Sequence, residues 1–384
     1  MLQASRLGST LGIMGFLPMR NFSARAGRYV EEVAGAVRAD VLIYAAALIY
    51  LLAGAAYVLL AGRTVFAEYD LYVLGCVILV CVLMPYAAIV LAAIRIVFAG
   101  TRRRRLAWRT IIAPPRVGRF VAGTLLMLVL LLFFEAMYTT VKTTFSADAF
   151  PYDKLIADID KALHFGHAPS YWLAFLRSDW LLRIVETNYD GVWFPFWLIT
   201  LYWFCTSPHA EKLRVRFVLT FMMVWVLIGN VVASLALTAG PALYGKVTGD
   251  HERFAKLLQF LDSTPNSTSV TQHYLWTLHE TGAGGLGSGI SAFPSIHVAV
   301  AACCALFISE IDKRFGLAAW VYVAIIMLSS VYLGWHYAVD GYAAVVLTTA
   351  IYWAVRRAPE LLKLRFRRGR PAAVGITART TVSP

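Results

Sequence analysis

The chain has 384 residues, of which 59% are hydrophobic and only 15% charged; an ordinary soluble domain has about half and a quarter. So much apolar surface cannot be hidden in one water-soluble core of this length, which excludes a soluble enzyme, a disordered scaffold and a disulfide-stapled secreted module. The net charge of +13 is spread over short segments between apolar runs, the pattern of membrane topology, and no nucleic-acid partner is expected.

In chain order, no signal peptide is expected in residues 1–40: the stretch 7–18 is weakly apolar, and Arg20, Arg25 and Arg28 follow it instead of preceding it. A helix lying on the cytoplasmic surface is expected over 22–38. Eight spans are predicted, at 41–61, 73–98, 119–140, 190–206, 216–238, 292–309, 317–333 and 338–355, each near the roughly 20 residues a bilayer requires, the fourth and the last three being short or interrupted. The fold class is therefore all-α, a polytopic membrane bundle of about eight helices. Of the 35 Lys and Arg residues, 26 fall in 1–40, 95–119, 206–216, 309–316 and 356–384, which puts both termini in the cytoplasm. The Arg102-Arg103-Arg104-Arg105 run and the Arg-rich stretch around 365–370 are read as topology markers touching anionic headgroups. The tail after Pro359 is expected to be unstructured.

Two long segments, 141–189 and 239–291, face the other side. In the first, Asp153, Asp158, Asp160 and Lys161 mark a polar face, and Tyr171, Trp172, Phe175 and Trp180 follow. Two short amphipathic helices at the interface are expected, capturing a lipid laterally or capping the bundle. Cys76, Cys81, Cys205, Cys303 and Cys304 all lie in or beside apolar runs with no CxxC pair, so buried thiols are expected, and neither a disulfide framework nor a zinc site. Glu135, Asn230 and Ser234 are polar residues within spans; structural pairing is the expected role of Glu135. Asp190, near Asn188, is placed to touch a polar acceptor headgroup.

The second outer segment ends in the glycine-rich 282–289 stretch and runs into Phe293-Pro294-Ser295-Ile296-His297. Pro-Ser suits a helix start, with Ser295 as cap and the first-turn amides as an anion site. The second cluster is Gly334-Trp335-His336-Tyr337-Ala338-Val339-Asp340. Four residues apart on a helix, His336 and Asp340 share a face, so the carboxylate fixes one imidazole nitrogen and frees the other to attack or take a proton. The predicted topology sets both clusters on the extracytoplasmic face.

The stretch from Ser288 to His297, together with His336-Tyr337-x-x-Asp340, resembles the signature of the type-2 phosphatidic acid phosphatase superfamily. Asp158-x-Asp160 through Phe165-Gly166-His167-x-Pro169, and Gly240-Pro241-Ala242-Leu243-Tyr244, are similar to its branch of inositol phosphorylceramide synthases and their bacterial relatives. The resemblance covers about residues 145–356 and implies a six-helix catalytic bundle, here 116–356, preceded by a cytoplasmic segment (1–40) and a two-helix extension with a basic loop (41–115), and followed by a basic tail (357–384). It further implies that His336, oriented by Asp340, attacks phosphorus to give a phosphohistidine, and that His297 protonates the leaving oxygen.

Two departures stand out. Ser329 and Ser330 occupy the places where the family's phosphatases carry Ser-Arg. Lys246 and Arg253 have the spacing of the family's Lys-x6-Arg-Pro, with Phe254 in place of Pro. Lys246, Arg253, Tyr244, Ser295 and Gly289 are the expected phosphate-binding residues, with His251 assisting. The expected function is an integral plasma-membrane lipid phosphotransferase that moves a phosphoryl or phospho-headgroup from an outer-leaflet lipid to a small alcohol or lipid acceptor, with no metal or other cofactor. Its competitors are a lipid phosphate or polyprenyl diphosphate phosphatase using water, and a non-catalytic transporter or scaffold.

Overall fold

The computed structural model describes residues 16–65, 69–98, 100–146, 149–263 and 267–368; the weakly apolar stretch before residue 16 and the tail after 368 lie outside them. Helices form wherever apolar residues run on without Gly or Pro clusters, and no strand occurs among the described residues. In order these are α1 (Phe16–Ala39), α2 (Val41–Leu60), α3 (69–98), α4 (Thr101–Ile111) and α5 (Pro114–Phe145). There follow α6 (Asp153–Leu163), α7 (179–206), α8 (Pro208–Leu235), α9 (Ala255–Ser263) and α10 (Ser267–Thr281), then α11 (Ile296–Ile311), α12 (Lys313–Tyr332) and α13 (Ala338–Arg368).

Among the described residues six stretches are long and apolar enough to cross a membrane: α2, Val73–Phe98 of α3, α5, α8, α12 and Ala338–Ala358 of α13. They coincide with six of the eight predicted spans, and the chain is a multi-pass membrane protein. The remaining two predicted spans correspond to Trp193–Thr206 of α7, 14 residues, and to α11, 16 residues. At 1.5 Å per residue these apolar lengths reach only about 21 and 24 Å, short of the ~30 Å hydrocarbon core. For α11 the reason lies in its position. Its residues Val298 to Ala305 are all fully buried, and a helix made of Ala, Val and Cys on every side belongs at the centre of a bundle. Helices α7, α8, α12 and α13 pack around it, with Phe204, Phe217 and Phe307 stacked and edge-on against one another.

The N-terminal helices are joined to this core. Asp40, fully buried between α1 and α2, pairs with Arg119 of α5 at 2.6 Å and with Arg214 of α8 at 3.7 Å. Gly118 lets α1 lie directly on α5, since an added Cβ would come within 2.8 Å of the Glu32 backbone. Tyr50 of α2 packs on Phe134 and accepts a 2.6 Å hydrogen bond from Asn230 Nδ2. Glu135, expected to be paired, has its Oε1 buried without a hydrogen-bond partner among the described residues.

Several expectations are amended. The surface helix expected over 22–38 is the larger α1, and the arginine quartet sits in α4. The tail is not irregular from Pro359: α13 continues through it to Arg368. A mid-helix proline removes one backbone hydrogen bond, and the Leu, Lys, Arg and Glu around it favour the helix enough to carry it on. Within 141–189 the helices are α6 and residues 179–186 of α7, while 169–176 forms only single turns. Three cysteines are buried, Cys76 is half-buried and Cys81 exposed, all as free thiols.

Candidate active site

The site forms where the loop before α11, the loop before α13 and the C-terminal end of α5 meet. Lys142 lies 23 residues after Arg119 on α5, about 35 Å along its axis, so this end and the Asp40 cluster sit at opposite ends of the bundle. Helix α11 starts as expected, Ser295 being fully buried and its Oγ accepting from the Val298 amide at 3.5 Å. The bend into α13 is fixed by the Ser330 carbonyl, which accepts from the amides of Trp335 (3.0 Å) and His336 (3.3 Å).

These turns bring the two imidazoles to 6.3 Å between ring centroids. Nδ1 of His336 lies 2.8 Å from the Ala292 carbonyl and 3.3 Å from Asp340 Oδ2. A carbonyl only accepts, so Nδ1 carries the proton and Nε2 keeps its lone pair. The shorter partner is thus the backbone of the other histidine's loop, and Asp340 comes second. Asp340 is fully buried, and its Oδ2 also accepts from the Tyr337 amide at 3.0 Å. The His297 ring is held between Tyr189, stacked at 4.5 Å, and Trp193, tilted at 4.2 Å. Trp193 Nε1 donates to the His297 carbonyl at 3.0 Å. Tyr189 and Trp193 are four apart on α7 and therefore share a face.

A second layer of buried acids supports the His336 loop. Asp153 and Asp160, expected on a polar face, are 0% and 3% exposed. Asp153 accepts from the amides of Ala239 (2.6 Å) and Gly240 (3.0 Å) and from the Tyr337 hydroxyl (2.7 Å). Asp160 accepts from the Val339 amide at 3.0 Å, at the start of α13. Burial raises the pKa of both carboxyls above the usual carboxylate range, and their hydrogen bonds offset this only in part. Gly240, at φ +90°, leans on the Trp335 carbonyl, 2.6 Å from where a Cβ would stand. The Gly240–Tyr244 segment therefore braces the His336 turn. Replacing Asp153 by Ala leaves three donors unpaired, at about 1–3 kcal/mol each. A large fall in the thermal midpoint in detergent is expected, whereas Asp158→Ala, at a half-exposed ion pair with Arg253, costs about 0–1 kcal/mol. Equal midpoints for the two variants would contradict this.

The expected phosphate ligands are dispersed. Arg253 donates to Asp158 (2.6 Å), the Ala157 carbonyl (2.6 Å) and the Tyr244 hydroxyl (3.2 Å). Tyr244 is buried against Phe254. The Lys246 ammonium lies 5.0 Å from the centroid of Trp276, and His251 packs on Gly245. Ser329 and Ser330 are buried. Asp190 is exposed, one residue from the Tyr189 that stacks on His297. Gly289, at φ +90°, adjoins the site: an added Cβ would stand 3.0 Å from Lys142 Cγ and 3.1 Å from Ser146 Oγ. His336 and Lys142 both lie near enough to His297 to act on it electrostatically. Lys142, which no sequence motif marks, is therefore a basic residue near the histidine pair.

Two cavities flank this arrangement. One, of about 340 Å³, is lined mainly by apolar groups, among them Phe165, Trp172, Leu328 and Val331, and reaches Ala338 and Tyr342 of α13. The other, of about 260 Å³, is more polar and includes Gly289. Among the described residues no group of three or more His, Cys, Asp or Glu side chains is disposed to hold a metal ion.

An all-helical, multi-pass protein with a histidine pair, His336 buried and His297 partly so, beside a lysine at one end of its bundle is thus defined. Residues 154–354, just over half of the chain, match the family model described as the PAP2 superfamily, and the protein belongs to that superfamily. With membership comes the coarse activity, a lipid enzyme of the phosphatase and phosphotransferase type. No curated protein and no solved structure matched the chain. The matched region begins in α6, so α1 to α5, with Lys142, lie before it.

Proposed function

We propose that the protein moves a phosphoryl or phospho-headgroup from a membrane lipid to an alcohol through a phosphohistidine on His336. One observation carries this above all: a second imidazole 6.3 Å away faces a histidine whose Nδ1 is already committed to Ala292 and Asp340. Nε2 of His336 attacks phosphorus while the bond to the leaving oxygen breaks, and His297 delivers a proton to that oxygen. His297 then takes the proton of the incoming alcohol, whose oxygen attacks phosphorus as the P–N bond breaks. Asp340 and the Ala292 carbonyl are positioning groups that hold the tautomer. The apolar cavity beside α13 suits an acyl chain, and the amphipathic α6–α7 region borders it, in keeping with lateral capture.

A phosphoryl transition state spreads negative charge over its oxygens and calls for a fixed cation. We assign that role to Lys142 ahead of Lys246 and Arg253, whose charges are engaged by Trp276 and Asp158. Lys142→Ala is expected to lower kcat by about 10²–10³-fold, with Lys142→Arg recovering part of it; Lys246→Ala should have a small effect. A large loss in Lys246→Ala with little in Lys142→Ala would reverse the assignment.

The branch of inositol phosphorylceramide synthases and their bacterial relatives is proposed on the Asp158-x-Asp160 and Gly240–Tyr244 segments, and the positive-inside count favours cytoplasmic termini and an extracytoplasmic site in the plasma membrane. Hydrolysis is the second reading, since water can replace the alcohol at the same histidines. Product analysis decides between them: with a panel of lipid phosphates and phosphodiesters, transfer predicts a new phosphoester that grows with alcohol concentration, and a pure phosphatase releases phosphate only.

A further inference from the structure

The polar cavity of about 260 Å³ lies between the outer ends of α2, α5 and α10 and the glycine-rich loop. It is smaller than the ~300–1,000 Å³ of usual drug-sized sites, which limits it to a small ligand. Three of its hydroxyls have a defined polarity. Thr140 donates to the Ala136 carbonyl at 2.8 Å, and Thr143 and Thr144 donate to the Thr140 carbonyl at 3.0 and 2.7 Å. A hydroxyl has one proton, so these three, spent within α5, offer the cavity lone pairs only. A phosphate, itself rich in lone pairs, finds no donor in these three, whereas an alcohol's O–H groups find acceptors in them. Arg63, at the end of α2, supplies donors for the ligand's oxygens at the exposed rim, and no Asp or Glu lines the cavity. Gly289 joins it to the catalytic end, for its other side abuts the stem of Lys142.

We propose that this cavity binds the alcohol acceptor, a small polyol, and that the N-terminal extension forms its outer wall through Arg63. The assignment deepens the phosphotransfer proposed above and rests on it. It gives the extension, which lies before the family-matched region, a part in acceptor choice.

The test uses the full-length protein in mixed micelles with a short-chain phosphatidate and a short-chain phosphodiester lipid as donor probes. Glycerol, a hexitol and a cyclitol are offered both free and as phospholipid headgroups. The readout is the ratio of transfer product to hydrolysis product at low acceptor concentration. In Thr143→Val/Thr144→Val and in Arg63→Ala the ratio is expected to fall about tenfold, the weight of one or two lost hydrogen bonds. In Thr110→Val, a hydroxyl on the remote α4 bonded in the same way, it should not change. The better arm, free or lipid-borne, tells whether the acceptor comes from water or from the membrane. An unchanged ratio in the cavity variants, or no product with any polyol, overturns the assignment. If no donor is consumed and His336 acquires no phosphate, it is the phosphotransfer reading that fails. The cavity is then judged by saturation-transfer NMR with the same free polyols: a signal lost in the double variant supports it, and no signal in the unmodified protein overturns it.

Discussion

His336→Ala is expected to lower turnover of any accepted lipid phosphate by about 10⁴-fold or more, the scale seen when a covalent nucleophile is removed. The size follows from its position. Nδ1 is held at 2.8 Å by the Ala292 carbonyl and at 3.3 Å by Asp340, so the attacking nitrogen is pre-oriented before substrate arrives. His336→Gln fills the space without supplying a nucleophile and should be equally inactive. The thermal midpoint should move far less than in Asp153→Ala, because His336 anchors fewer backbone groups. Assays of initial rate on a lipid phosphate panel, paired with unfolding curves, check both statements. Undiminished turnover would end the mechanism.

His297→Gln has the second largest expected effect, a loss of about 10²–10⁴-fold, and it should depend on the leaving group. A poor leaving group such as a dialkylglycerol needs the proton that His297 supplies, whereas a nitrophenolate departs without one. The variant should thus lose most of its activity on lipid phosphates and keep much of its first step on a nitrophenyl phosphodiester. His336→Ala should lose both. Equal losses of His297→Gln on the two substrate types would show that the residue is not the acid. The aromatic sandwich sets a further condition. Tyr189 and Trp193 hold this ring, so Tyr189→Ala should resemble a weakened His297→Gln.

The sequence carried the architecture well because apolar length and charge asymmetry are local signals. Six predicted spans coincide with helices long enough to cross, while α11, expected as one more span over 292–309, is a 16-residue helix buried at the bundle centre. The His motifs were legible for the same reason, each being a short contiguous pattern. What escaped depends on distant partners. Asp153 reads as one more charge on an amphipathic helix, and only contacts 86, 87 and 184 residues away reveal it as a buried brace. Lys142 sits at the end of a span where a lysine is ordinarily a topology marker; its proximity to His297 arises from the packing of α5 against the Gly289 loop. Tyr189 and Trp193 did carry a signal, an aromatic pair four apart at the top of a span. For Lys246 and Arg253 the spacing in sequence does not show which ring or carboxylate each meets, Trp276 and Asp158 respectively. The helical continuation through Pro359 to Arg368 is hidden in the sequence because a basic tail beyond the last span has the composition of an unstructured one, although strong helix formers surround the proline.

The most direct test of the central claim is to trap the covalent intermediate. The protein is mixed for milliseconds with a donor lipid labelled at phosphorus, quenched in alkali, where phosphohistidine survives, and digested for peptide mapping. The account predicts an acid-labile label on His336, present in His297→Gln with an activated donor and absent in His336→Ala. Turnover with no labelled histidine under any quench, or a label on His297, would contradict it.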